Sequence, residues 1–147
     1  MPRIVASSRI EIEMPLLPDG QPPSEFGPDS PLTLWRTRVP THLCRKDAAS
    51  VRLALCGTRI AGETNWREAI SGENDDFAAI AIGICIRQTK KYPFDAVEID
   101  MSVSAVLAYA LLGDAASAVV MSWALKNRAR FDRPCALYSD LWLVSNF

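Results

Sequence analysis

The sequence predicts an α+β fold, a mostly antiparallel sheet of about five to six strands covered on one face by a C-terminal helical hairpin. Three observations lead to this prediction. Isoleucine alternates with small residues from Ile80 to Ile86, a second alternation runs from Val97 to Val103, and apolar residues take helical spacing from Ser104 onward. Alternation is typical of strands, and a spacing of three to four is typical of helices. The predicted order is β-β-β-(short α)-β-β-α-α-β.

The first predicted strand lies between Arg3 and Met14, where isoleucine alternates with charged residues. The next segment, 15–31, contains six of the ten prolines. Proline removes a backbone donor and fixes φ, so this segment predicts a loop or an extended arm. At 147 residues the chain is expected to form a single globular domain, 1–147, with this arm inside it.

Two further strands are predicted before the middle of the chain. Residues 32–39 place Leu32 and Leu34 on one face and Trp35 on the other, and Pro40 ends the strand. Residues 51–56 also alternate, although the alanines that precede them fit a helix almost as well. Asn65 is a candidate cap for a short helix that contains Trp66.

The central strand is predicted over residues 78–87, because branched isoleucines favour a pleated surface. The alternative is a buried helix capped by Asp75 or Asp76, with Lys90 and Lys91 near its end. The alternation at 97–103 predicts a half-exposed strand with its acidic residues toward water.

The helical hairpin is predicted from Ser104 to Arg130, with a turn at Gly113 and Asp114. Glycine often ends a helix, and aspartate often begins one. Residues 137–144 are rich in aromatic and branched side chains and predict a closing strand.

Composition narrows the functional classes. The formal net charge is -1, which gives no general attraction to nucleic acid or to an anionic membrane. The four cysteines form no C-x-x-C pair, so we expect free thiols in the reducing cytoplasm. Residues 103–125 are long enough to span a bilayer, but Asp114 in their middle is better explained by a turn.

Two pairs of residues are candidates for chemistry. His42 and Cys44 are two apart, so on a strand they share a face, and a histidine can take the proton of a thiol. Glu98 and Asp100 are also two apart, and paired carboxylates can divide acid and base roles or hold Mg²⁺. No glycine-rich phosphate loop, nucleophile elbow or closed zinc pattern accompanies them, so no metal or cofactor is predicted.

Candidate binding residues come from the tryptophans and from one basic cluster. Trp35 and Trp66 are possible interface anchors, because tryptophan is enriched at binding hot spots. Lys126, Arg128 and Arg130 suit the dipole of a helix end and can also contact phosphates.

The function predicted from these features is a small, soluble, non-catalytic protein-interaction module, such as an adaptor, inhibitor or immunity-type partner. Its expected partner is another protein or a second copy of this chain, giving a homo-oligomer. The alternative is a small enzyme whose site combines His42, Cys44, Glu98 and Asp100 from separate loops. A further alternative is nucleic-acid binding through residues 126–133.

Overall fold

The chain is organised around one buried helix. The computed structural model describes residues 10–12, 26, 27, 29–72 and 74–145. In chain order the elements are β1 (Ile10–Ile12), a 3₁₀ helix (Pro31–Thr33), α1 (Leu34–Thr37), a second 3₁₀ helix (Pro40–His42), α2 (Arg45–Leu55), β2 (Thr58–Ile60), α3 (Trp66–Ser71), α4 (Asp75–Lys91), α5 (Val97–Leu111), α6 (Ala115–Arg128) and α7 (Pro134–Ser145).

The buried helix is α5, in which every residue from Val97 to Ala110 is buried. It is packed against α1, α2, α4 and α6. A helix that is covered on all sides needs no polar face, so its apolar residues are not confined to one stripe. Several of its residues are β-branched and are only moderate helix formers, so tertiary packing supplies most of its stability.

Helix α4 covers one side of α5. Its N-terminus is capped by Asn74, whose side chain accepts hydrogen bonds from the backbone N–H groups of Asp76 and Phe77. Acidic residues in the first turn and lysines in the last turn suit the helix dipole. The buried residues recur at helical spacing and define the face turned toward the core: Ala78, Ala81, Ile84, Cys85 and Gln88.

Helices α6 and α7 form an antiparallel hairpin at the C-terminal end. Gly113 takes a left-handed φ of 104° before α6, where glycine is favoured. Asp114 then caps α6 by accepting a hydrogen bond from the N–H of Ser117 at 2.8 Å. The two helices meet at Ser122 and Ser139, whose hydroxyl oxygens are 2.9 Å apart.

The described residues contain two strands, each of three residues. They pair antiparallel, with Ile10 opposite Ile60 and Ile12 opposite Thr58. Ile10–Ile12 falls inside the predicted first strand, whose other residues lie outside the described part. Of the predicted arm 15–31, the structure describes Phe26, Gly27 and residues 29–31.

The predicted α+β class is wrong, because the described chain is predominantly helical and carries no large sheet. The segments predicted as strands at 78–87, 97–103 and 137–144 belong to α4, α5 and α7. The predicted strand at 32–39 is instead the end of a 3₁₀ helix followed by α1, which ends at Thr37, and residues 51–55 form the end of α2.

The reason lies in α4 and α5, where alternation does not correspond to alternating exposure. Ile84 is fully buried, whereas Ile86 is 39% exposed, although both belong to the same series of isoleucines. In α5 both the apolar and the polar members of the series are buried. The spacing of apolar residues in such short runs does not distinguish a strand from a buried helix, because a buried helix has no regular spacing of polar residues.

Several local predictions are confirmed. The turn at Gly113 and Asp114 separates two helices, and α6 ends at Arg128, close to the predicted residue 130. The short helix after Asn65 is α3, although no side-chain cap hydrogen bond forms there. Within the described part of the chain, no helix has the length and apolar character needed to cross a bilayer.

Candidate functional site

The carboxylate of Asp100 lies inside the bundle and is held by two neighbouring residues of α1. Its Oδ1 accepts hydrogen bonds from Trp35 Nε1 and Arg36 Nε, each at 2.8 Å. Its Oδ2 accepts from Arg36 Nη2 at 2.9 Å, which makes the ion pair bidentate. The side chains of Arg36 and Asp100 are 15% and 3% exposed. This arrangement attaches α1 to α5 and gives Asp100 a structural role.

Glu98 does not share a face with Asp100. Two residues along a helix differ by about 200° around its axis, so the two carboxylates point in different directions. Both residues are buried, at 2% exposure each, instead of facing water as the strand prediction required. The predicted carboxylate pair for acid–base chemistry or Mg²⁺ therefore does not assemble.

His42 and Cys44 are exposed, and Cys44 lies near the other end of α5. Cys44 precedes α2, and its backbone N–H donates to Asp47 Oδ2 at 2.8 Å. It lines a surface groove of about 520 Å³ together with Ala110 of α5. Because a helix rises about 1.5 Å per residue, Ala110 lies about 15 Å along the axis from Asp100. Cys44 and Asp100, one from each pair of the predicted catalytic set, thus lie at opposite ends of α5.

The other thiols differ in their surroundings. Cys56 is exposed, whereas Cys85 and Cys135 are buried. Burial raises the pKa of the Cys85 thiol to about 12, against a smaller lowering by a hydrogen bond with Ser102. Burial, aided by the charge of Asp132, likewise raises the pKa of the Cys135 thiol to about 12. In the described residues, no group of three or more His, Cys, Asp or Glu side chains is placed to hold a metal ion.

The basic cluster at the end of α6 is divided between the surface and the interior. Arg128 is turned inward, where its Nη1 donates to the Phe94 carbonyl at 2.7 Å and its Nε donates to Asp132 Oδ2 at 3.0 Å. Its guanidinium also lies 4.9 Å from the Phe131 ring centroid. Lys126 and Arg130 are exposed. The three predicted contacts therefore do not form one continuous surface for phosphates.

The tryptophans also differ in their exposure to solvent. Trp35 and Trp66 are buried at 0% and 3% exposure, and Trp142 is buried at 2%. Trp123 is 40% exposed. Its ring and the Phe94 ring form a T-shaped pair, with a centroid distance of 6.0 Å and an interplanar angle of 71°. A binding role for Trp35 and Trp66 remains an untested prediction, whereas Trp123 has a surface available for contact.

Trp123 belongs to a surface that we call the hairpin face, formed by exposed apolar residues on one side of α6 and α7. Ser122 and Ser139 mark the line along which the helices touch. One residue later, at Trp123 and Asp140, each helix has turned by about 100°, and in an antiparallel pair these turns lead to the same side. The apolar members are Val119, Trp123, Leu137, Leu143 and Val144.

The sequence alone does not reveal the hairpin face, because Val119 and Trp123 have the helical spacing of a stripe that packs inward. The stripe that does so is Ala118, Met121, Ala124 and Leu125. Helix α6 has apolar residues on two sides. One apolar stripe is enough to pack a helix onto the core, so the additional apolar residues indicate a second contact surface. No family model matches this chain, and neither a curated protein nor a solved structure shows significant similarity to it.

Proposed function

We propose that this protein is a non-catalytic protein-interaction module that self-associates through the hairpin face. The observation that carries the proposal is the clustering of large, exposed apolar side chains on one side of α6 and α7. Their exposures run from 40% at Trp123 to 76% at Val144. Several large apolar side chains exposed on one side of a helix pair indicate an interaction site, because their exposure to water is unfavourable.

Trp123 has the properties of an interface anchor. Phe94 packs against its ring, and the Phe94 carbonyl is itself held by Arg128. The loop that contains Phe94 therefore holds the Trp123 ring in place, so less side-chain entropy is lost when Trp123 binds a partner. Tryptophan in such a position is a frequent hot spot.

The charges on the hairpin face favour a second copy of this chain as the occupant. Lys126 and Asp140 are exposed, one on each helix of the pair. In a two-fold dimer each surface meets itself, so Lys126 of one copy can lie opposite Asp140 of the other. A strongly acidic or strongly basic partner would match only one of these two charges.

The test is a measurement of mass in solution over a concentration series by light scattering or sedimentation. We expect twice the chain mass for the wild type. The double variant Val119→Glu with Val144→Glu should dissociate, with a dissociation constant raised about a hundredfold or more, because two carboxylates would be desolvated at the interface. Both sites are exposed, so circular dichroism should show unchanged helix content.

A matched control is Leu53→Glu, which places the same charge on an exposed leucine of α2, outside the hairpin face. This variant should remain a dimer. The proposal fails if the wild type is a monomer at every attainable concentration, or if the control dissociates as readily as the double variant.

A charge exchange tests the pairing itself. Lys126→Asp and Asp140→Lys should each weaken self-association, since each brings like charges together. Mixing the two variants should restore a dimer that contains one chain of each, because both cross-pairs are then attractive. Equal association of the separate and the mixed variants would contradict the pairing.

A further inference from the structure

A third helix, α4, extends the apolar surface of the hairpin face. Four residues of α4 recur at helical spacing along one of its flanks: Asp75, Ala79, Ile82 and Ile86. We call them the α4 flank. Ile86 is 39% exposed, and Ile82 is half-buried. The α4 flank therefore leaves large apolar side chains in contact with water, as the hairpin face does.

The α4 flank is turned toward α6. At its N-terminal end, Asp75 lines a depression of about 360 Å³ together with Ala115, the first residue of α6. The other side of α4 is engaged elsewhere, since Arg87 donates a hydrogen bond to Glu63 at 2.8 Å. The α4 flank consequently lies beside α6, where it adjoins the hairpin face.

Helices α4 and α6 run in the same direction. Their N-termini meet at the depression, which is lined by both Asp75 and Asp114. The loop after α4 reaches the last turns of α6, where the Phe94 ring contacts Trp123 and the Phe94 carbonyl accepts from Arg128. The helices are about 25 Å and 21 Å long, so their C-termini also lie at one end of the surface.

This parallel arrangement gathers like charges at each end. Asp75 and Asp114 line the same depression at the acidic end, and the basic end carries Lys90 of α4 and Arg130, which follows α6. Such charges suit each helix dipole, but placed side by side they repel each other. In the part of the chain that the structure describes, no ion pair engages Asp75, Lys90 or Arg130. Opposite charges from another molecule would therefore stabilise both ends.

We infer that a second copy of this chain supplies these charges, by binding the hairpin face and the α4 flank with its helices antiparallel to those of the first copy. The inference rests on the self-association proposed above and adds to it the α4 flank and the orientation. In a two-fold pair whose axis crosses the helices, the acidic end of each copy meets the basic end of the other. A uniformly acidic or basic partner would match one end and be repelled by the other.

The antiparallel arrangement also brings apolar side chains together in the middle of the interface. Trp123 lies near the middle of α6, and Ile82 lies near the middle of α4. Both are therefore close to the two-fold axis, with charges only at the ends, which is the usual anatomy of a stable interface. Lys126 is one turn from Ser122, on the side of α6 that contacts α7, so its pairing with Asp140 remains available.

Cross-linking of single-cysteine chains tests the orientation. The background is Cys44→Ser with Cys56→Ser, which removes the two exposed thiols and keeps the two buried ones. Ala116→Cys then marks the acidic end of α6, and Arg130→Cys marks the basic end; both positions are exposed. A short bismaleimide joins thiols that lie close together, and mass spectrometry identifies which chains are joined.

An equal mixture of the two cysteine variants should give a cross-linked dimer with one chain of each, about tenfold faster than either variant alone cross-links. The reason is that residue 116 of one copy lies beside residue 130 of the other, which raises the effective concentration of the two thiols. Faster cross-linking of each variant with itself would show a parallel pair and overturn the inference.

A second variant, Ile86→Glu, tests the α4 flank. It should raise the dissociation constant of the dimer about tenfold or more, because a carboxylate replaces an apolar side chain inside the interface. Leu53→Glu places the same charge on the exposed surface of α2 and is the matched control, which should remain a dimer. Circular dichroism of both variants checks that the helix content is unchanged.

The outcomes distinguish this inference from self-association itself. A wild type that stays a monomer at every attainable concentration overturns both. If the wild type is a dimer that dissociates with Val119→Glu and Val144→Glu but not with Ile86→Glu, self-association stands and the role of the α4 flank is overturned.

Discussion

Asp100 shows how a buried charge is accommodated in this protein. Removing a carboxylate from water costs several kcal/mol, and the attraction of Arg36 offsets this cost only with good geometry. Here both carboxylate oxygens are used, and the Trp35 indole adds a third donor. These three hydrogen bonds explain how a charged residue can occupy the first turn of a buried helix.

We expect Asp100→Asn to lower the free energy of unfolding by about 3 kcal/mol, because it removes the buried carboxylate charge that holds the Arg36 guanidinium in a bidentate ion pair. The measurement is urea unfolding followed by tryptophan fluorescence. In a double-mutant cycle, Asp100→Leu combined with Arg36→Met should be less destabilising than the sum of the single changes. Strict additivity would show that the two side chains do not stabilise each other.

At the scale of single residues, the sequence reveals only part of the candidate site. The sequence indicated Asp100 as a polar residue of interest, but its partners are more than sixty positions earlier in the chain. Nothing in local spacing links Trp35 to a carboxylate in α5. The same holds for Trp123, whose exposure depends on which side of α6 the rest of the chain covers.

At the scale of elements, the sequence predicted best where capping and turn chemistry are local. Gly113 and Asp114 give a helix end and a helix start in two consecutive residues, and the helix after Asn65 has a comparable signal. Prediction failed at α5, where burial on every side removes the contrast between polar and apolar faces, and at α4, where the alternating isoleucines do not mark its single buried face. At α4 the terminal lysines and a cap at the start of the helix were the stronger signal, although the observed cap is Asn74 and not the expected Asp75 or Asp76.

Two glycines of this region should respond in opposite directions to alanine. Gly83 is inside α4, and a Cβ there would lie 3.5 Å from the flexible Nη1 of Arg87. Gly83→Ala should stabilise the protein by up to about 1 kcal/mol, because alanine is the better helix former.

Gly72 is the matched control for that change, since a Cβ there would overlap the Phe77 ring. Gly72→Ala should destabilise the protein by about 1–3 kcal/mol through overpacking. Thermal and urea unfolding of both variants measure the two effects. Equal shifts of the same sign would contradict the packing described for the start of α4.

On the scale of the whole molecule, amino-acid composition says less about the fold than the path of the chain does. An apolar fraction of 49% is compatible with a sheet roofed by helices and with a bundle around one helix. The difference is that α5 is enclosed by α1, α2, α4 and α6, which come from both halves of the sequence. Enclosure of this kind is a property of tertiary contacts, which periodicity does not encode.

The enclosure of α5 predicts the order of hydrogen exchange. Its amides should exchange last, at the rate set by global unfolding, because opening them requires removing helices on every side. The short elements β1, β2 and α1 should exchange first. Exchange followed by proteolysis and mass spectrometry measures this order.

The same experiment on Val119→Glu with Val144→Glu separates folding from association. In the wild type, dimer formation should add protection to α6 and α7, and the double variant should lose that addition while α5 remains the slowest segment. If α6 and α7 stayed more protected than α5 in the monomeric variant, the hairpin would be the stable unit of the fold, and α5 would be only its cover.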